Sequence, residues 1–225
     1  MSADVLSSLC ALAAGYVVGG IPFGYLIARA RGIDIRDVGS GNVGATNVGR
    51  ALGRKWGFLA LALDIAKGYL PVAFAAPAIA EYMGASSDEY ALSAMGLGAI
   101  MGHVFTPWLG FRGGKGVATS IGVFAALLQY WIALPLAVYL LVRKLTGYVS
   151  AGSLSLAALL PAAAVIHNWG RLRETWPTLV FACFAALLIV LRHRANIARL
   201  ARGEELAVSG GATGGDAPAD EGADS

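Results

Sequence analysis

"VATSIGVFAALLQYWIALPLAVYLLV", residues 117–142, runs for 26 positions without a charged side chain. As one helix it would extend about 39 Å at 1.5 Å per residue, well past the roughly 30 Å of a bilayer's hydrocarbon. It is either one tilted helix or two short ones that break near Gln129. The choice sets which loops share a side of the membrane.

The rest of the chain is of the same kind. Of 225 residues 57% are apolar and 14% charged, with mean hydropathy +0.64, where a soluble domain carries about one quarter charged residues. Val5–Ala28 and Tyr148–Ile166 are further uncharged runs. The first is too long and too glycine-interrupted for a cleaved signal peptide and has no basic leader. The pattern predicts an all-α polytopic membrane helix bundle with spans at about 5–28, 56–80, 88–107, 117–128, 130–142, 148–166 and 176–191.

Lysine and arginine bias favours these seven spans over six. With an outside N-terminus, Arg29, Arg31, Arg36, Arg50, Arg54 and Lys55 fall inside, followed by Arg112 and Lys115, Arg143 and Lys144, then Arg192, Arg194, Arg199 and Arg202. Arg171 and Arg173 lie outside and Lys67 within a span. The C-terminus is then cytoplasmic. Residues 1–203 form one membrane domain, and the Gly/Ala/Asp-rich 204–225 is expected to be a disordered cytoplasmic tail. Cys10 and Cys183, inside apolar runs, suggest neither metal nor disulfide. A net charge of +3, not clustered as a stripe, does not point to nucleic acid.

Between the spans lie three polar segments. "GSGNVGATNVGR", Gly39 to Arg50, contains G-x-G-x-x-G at Gly39, Gly41 and Gly44, with Asp64 twenty positions on. That imitates a dinucleotide fingerprint, but Asp64 sits inside an apolar membrane run and no second parallel strand follows. The segment instead sets Ser40, Asn42, Thr46, Asn47 and Arg50 among glycines at the membrane surface. It reads either as an anion-binding turn or as a solvated loop with an anchoring arginine. In "GHVFTPWLGFRGGKGVATS", Gly102 to Ser120, Gly113, Gly114 and Gly116 surround Lys115 just before a helix N-terminus, an arrangement that favours a bound anion. The spacing is not that of a Walker A loop. His103 is a general-base or phosphate-donor candidate, or a structural helix end. In "LRHRANIARLARGEE", Leu191 to Glu205, Arg192, His193, Asn196, Arg199 and Arg202 suggest a polar helix face or an interfacial basic helix held by anionic lipid. Asp64 and Lys67, i and i+3 within the second span, are a functional pair or a self-neutralised structural one.

The three segments together resemble the bacterial acyl-phosphate:glycerol-3-phosphate acyltransferase family, over roughly residues 5–205. The resemblance implies transfer of a fatty acyl group from acyl phosphate to the sn-1 hydroxyl of glycerol 3-phosphate, giving lysophosphatidic acid and phosphate. It implies no cofactor or metal, membrane lipid as surroundings, a monomer, and a site facing the cytoplasm from the bacterial inner membrane. Catalytic candidates are Ser40, Arg50, His103, Lys115, His193 and Asn196. Substrate-binding candidates are Gly41, Asn42, Thr46, Asn47, Gly113, Gly114, Gly116, Ser150, Arg192 and Glu205. Acyl-CoA enzymes built on H-x-x-x-x-D are disfavoured, because Trp108 stands five residues after His103. The rival reading is a membrane transporter of an organic phosphate, with binding near the midplane.

Overall fold

The computed structural model describes residues 1–86 and 88–207. The described residues are helical throughout, with no strand among them. Helix α1 (Ala3–Gly19) is separated from α2 (Phe23–Arg29) at Pro22, whose ring removes an amide donor. A short α3 (Ala45–Leu52) leads into α4 (Arg54–Leu70). A π-turn at Pro71–Ala75 carries α4 into α5 (Ala76–Tyr82). Helix α6 (Glu89–Val104), α7 (Val117–Leu128), α8 (Ala133–Thr146), α9 (Val149–His167), α10 (Trp176–Arg192) and α11 (Arg194–Arg202) complete the bundle.

Five helical runs are long and apolar enough to cross a membrane, or six if the bent pair α10–α11 is one span. The expectation of seven differs from this count because of residues 117–146, a single run by length and composition. That run does not continue straight. A straight rod of 30 residues would separate its ends by about 45 Å. Yet Lys115 Nζ donates to Asn196, Asn196 donates to Glu205, and Ser150 faces the same Glu205 carboxylate. Both ends therefore meet, and the chain doubles back through the turn Gln129–Ile132. Gln129 has φ +51, a region sparsely open to non-glycine residues. The two arms hold 12 and 14 residues, about 18 and 21 Å each.

The N-terminal end and the polar site lie at opposite ends of the bundle. Asp4 accepts from the Ser86 amide at 2.8 Å, at the end where Thr178 donates to Glu89. Glycine sets the tightest helix pair. Gly15 and Gly19 of α1 face Gly98 and Gly102 of α6, two reciprocal small-xxx-small rows that bring backbones into contact. A Cβ on Gly19 would lie 2.1 Å from the Ala99 carbonyl oxygen, and one on Gly102 would lie 2.2 Å from that of Tyr16. The core beside this pair contains Met95, Ile100, Val123, Leu156 and Leu160, with Phe124 stacked on Phe181 at 5.1 Å.

Because backbone rather than a flexible side chain blocks these positions, Gly102→Val must part α1 from α6. It is expected to cost on the order of 3 kcal/mol, lowering the thermal midpoint of the detergent-solubilised protein by roughly 6–12 °C. An unchanged midpoint would contradict the packing described.

Candidate active site

Residues 38–44 form a loop organised by Asn47 of α3, which is 1% exposed. Its amide donates to the Ile35 and Val38 carbonyls at 3.1 and 2.8 Å, and its Oδ1 accepts from the Ser40 amide at 3.0 Å. Gly39 is obligatory beside it, because a Cβ there would stand 2.5 Å from Asn47 Oδ1. With its amide spent on the backbone, Asn47 is a scaffold for the loop. Gly41, at φ +66, forms the turn and lies off the cavity wall. Ser40, Asn42, Thr46 and Arg50 line the cavity.

The second segment passes over the end of α6. Gly113 and Gly114 donate their amides to the Val104 and His103 carbonyls, each at 3.0 Å. A Cβ on Gly114 would lie 2.1 Å from His103 Nε2. These two glycines, expected to cradle an anion, instead let the chain close against His103, and neither lines the cavity. The anion-facing groups left to this segment are Lys115, Gly116 and the first residues of α7, Val117 and Ala118. The first amides of a helix lack intrahelical partners.

The third segment bends by 56° between α10 and α11, turning His193, Asn196 and Arg199 toward the cavity. Asn196 joins the segments: its carbonyl oxygen accepts from Lys115, and its amide donates to Glu205 at 2.6 Å. Arg199 holds the other Glu205 oxygen at 2.9 Å. His193 Nδ1 lies 2.8 Å from the Ile189 carbonyl. Arg192 stands behind the wall, donating to the Gly113 carbonyl at 3.2 Å. Residues 204–207, expected to begin a disordered tail, pack on the site. Arg50 donates to the Leu206 carbonyl at 3.0 Å, and the Glu205 side chain is 5% exposed. The remainder of that expected tail, 208–225, lies outside the described residues.

Burial pushes the Lys115 ammonium down to about 8, with Glu205 opposing the shift. Burial works against ionisation of Glu205, yet hydrogen bonds from Asn196, Ser150 and Arg199 hold its carboxyl below the usual range. Arg50 is lowered by burial, with Glu205 supporting its charge.

All these groups edge one cavity of ≈330 Å³. Its wall carries the cations Arg50, Lys115, Arg199 and Arg143. Apolar side chains also line it, Leu61 and Ile65 from α4, Ile121 from α7, and Leu136 and Leu140 from α8. Of the expected site residues, Ser40, Asn42, Thr46, Asn47, Arg50, His103, Lys115, Gly116, Ser150, His193, Asn196 and Glu205 line it. Gly41, Gly113, Gly114 and Arg192 do not. Sequence reading missed Arg143 and Tyr139. The signal was present in α8, where Leu136, Tyr139, Leu140 and Arg143 recur at helical spacing and share a face.

A profile of the family described as "Glycerol-3-phosphate acyltransferase" matches residues 9–203. A glycerol-3-phosphate acyltransferase of Anaeromyxobacter dehalogenans is 45% identical over 206 residues, covering 91% of this chain and 98% of the relative. One of Geobacter sulfurreducens is 43% identical over 204 residues, covering 89% and 97%. The fold is similar to the crystal structure of PlsY (YgiH), an integral membrane glycerol 3-phosphate acyltransferase, in its glycerol 3-phosphate form. There the TM-score is 0.77 at 37% identity, covering 89% of this chain and 95% of that one. Its lysophosphatidic acid form gives 0.74 at 36% identity with the same coverage. The chain belongs to the glycerol-3-phosphate acyltransferase family and is an acyltransferase.

Lys115 carries its charge below about pH 8 and loses it as pH rises through that value. Affinity for inorganic phosphate, measured by calorimetry, is therefore expected to fall about tenfold between pH 7 and pH 9, the worth of one charge-assisted hydrogen bond. Lys115→Arg is expected to flatten this dependence. Parallel profiles for both proteins would contradict it.

Proposed function

For a member of this family, we propose transfer of a fatty acyl group from acyl phosphate to the sn-1 hydroxyl of glycerol 3-phosphate, yielding lysophosphatidic acid and inorganic phosphate. The observation that carries this reading is the mixed lining of one cavity. Cations share its wall with apolar side chains of α4, α7 and α8, suited to a phosphorylated head with a hydrocarbon chain.

The chemistry asks little of the protein beyond placement. An acyl phosphate is already a mixed anhydride, so no enzyme nucleophile is needed. The acceptor oxygen bonds to the carbonyl carbon as the bond from that carbon to the phosphate oxygen breaks. Phosphate leaves with the electron pair, and the hydroxyl proton ends on a phosphate oxygen. Ser40, Asn42 and Arg50 hold the acyl-phosphate head and polarise its carbonyl. Lys115, with the α7 N-terminus, holds the phosphate of glycerol 3-phosphate. Thr46, Ser150 and Glu205 complete the polar wall, while His103, His193 and Asn196 orient the attacking hydroxyl. The rate gain lies in alignment and fixed positive charge.

The site faces the cytoplasm from the bacterial inner membrane, in a monomer with an outside N-terminus and seven membrane-embedded segments. The reversal within 117–146 supplies the parity that this topology needs.

Purified protein given acyl phosphate and glycerol 3-phosphate is expected to release phosphate and form lysophosphatidic acid, with no turnover from acyl-CoA. Lys115→Ala is expected to lower kcat/KM on the order of 100-fold in folded protein. Turnover from acyl-CoA alone, or near-normal kinetics in the variant, would refute the scheme.

A further inference from the structure

One buried charged cluster has no part in the reaction as described so far. Asp64 and Lys67 lie on α4 with side chains 3% and 2% exposed, their charged atoms 2.8 Å apart. Lys67 also donates to the Ile21 carbonyl at 2.7 Å, at the break between α1 and α2. Asp64 reaches the cavity wall, and its Oδ1 is 3.7 Å from His103 Nδ1. Besides the Lys67 ammonium, Asp64 Oδ1 has no hydrogen-bond donor among the described residues.

We infer that Asp64, paired with Lys67, is a positioning residue that fixes the orientation and tautomer of His103 for the acyl transfer. This rests on His103 standing beside the attacking hydroxyl. Beside the Lys67 ammonium a carboxylate oxygen has room for a second donor, and the ring nitrogen that faces Asp64 Oδ1 from α6 is His103 Nδ1. A shift of under 1 Å closes the gap, and catalytic hydrogen bonds commonly tighten when substrate arrives. An Nδ1–H bonded to Asp64 leaves Nε2 as the imidazole's acceptor. Gly114, having no side chain, leaves that nitrogen unblocked, since a Cβ there would stand 2.1 Å from Nε2. The carboxylate thus chooses which nitrogen bears the proton and which is left to accept. Lys67 makes the arrangement tolerable in the membrane, because an unpaired carboxylate there would be too costly.

The test pairs kinetics with a spectroscopic readout. Asp64→Asn keeps the shape and removes the charge. Asp64→Asn/Lys67→Met removes both charges without stranding either, a replacement that buried pairs often tolerate. In both variants kcat is expected to fall at least about tenfold while KM for glycerol 3-phosphate stays within about twofold. The ¹⁵N imidazole signals lost in His103→Gln identify that residue, and in the Asp64 variants they are expected to show loss of the Nδ1–H tautomer. In the His103→Gln background, Asp64→Asn should add no further loss. Wild-type kcat in the folded double variant, an unchanged tautomer, or losses that multiply across the pair would overturn the assignment. Absence of wild-type turnover from acyl phosphate would instead defeat the proposed reaction, and this inference with it.

Discussion

The site hangs on one side chain amide. Asn196 accepts from the Lys115 ammonium and donates to the Glu205 carboxylate, linking the loop before α7 to the helix and segment that end the membrane domain. The exchange of O for NH₂ across a single amide keeps the cation and the anion one residue apart. Without it, Lys115 and Glu205 would be drawn into a direct ion pair, neutralising the charge that an anionic substrate needs. Arg199 takes the other Glu205 oxygen, so Asn196 is left to orient Lys115 toward the cavity.

That meeting is possible because the longest uncharged stretch turns back. The arms of 117–146 leave from beside Lys115 and return beside Ser150, opening an apolar trough between them and α4. Each arm is too short to cross the bilayer unaided. The same reversal therefore yields a greasy slot, a polar rim and the parity that sets the flanking motifs at one end. On the opposite face of α6, glycine rows hold α1 close enough for Tyr16 to donate its hydroxyl to the Phe105 carbonyl at 2.6 Å. This anchors the second motif where it leaves the bundle.

Much of this was legible in the sequence. The apolar runs, their approximate ends and the three polar segments followed from hydropathy and glycine punctuation, and the break near Gln129 fell where expected. Most expected polar residues reached the cavity, because the three polar segments that carry them share one end of the bundle. Local hydrogen bonding was not legible. Asn47 lines the cavity as expected, yet its amide also holds the Ile35 and Val38 carbonyls, since no pattern reveals which backbone carbonyls a loop will leave unpaired. Gly113 and Gly114 looked like a phosphate cradle, but their amides are spent on α6. The glycine rows of α1 and α6 were written in the chain as Gly15-x-x-x-Gly19 and Gly98-x-x-x-Gly102, yet only their mutual facing gives the spacing meaning. The segment 204–207 read as tail from composition alone, while tertiary contacts to Arg50 and Arg199 hold it in place.

Three segments far apart in sequence converge at one end of the bundle around one cavity. Single cysteines at Ser40, Arg112 and Arg194, exposed positions of the three segments, in a background lacking Cys10 and Cys183, are labelled with a membrane-impermeant maleimide in sealed vesicles of known orientation. All three are expected to react from the cytoplasmic face, with inorganic phosphate slowing the reaction at Ser40, which lines the cavity. Labelling of any one from the opposite face would contradict this convergence.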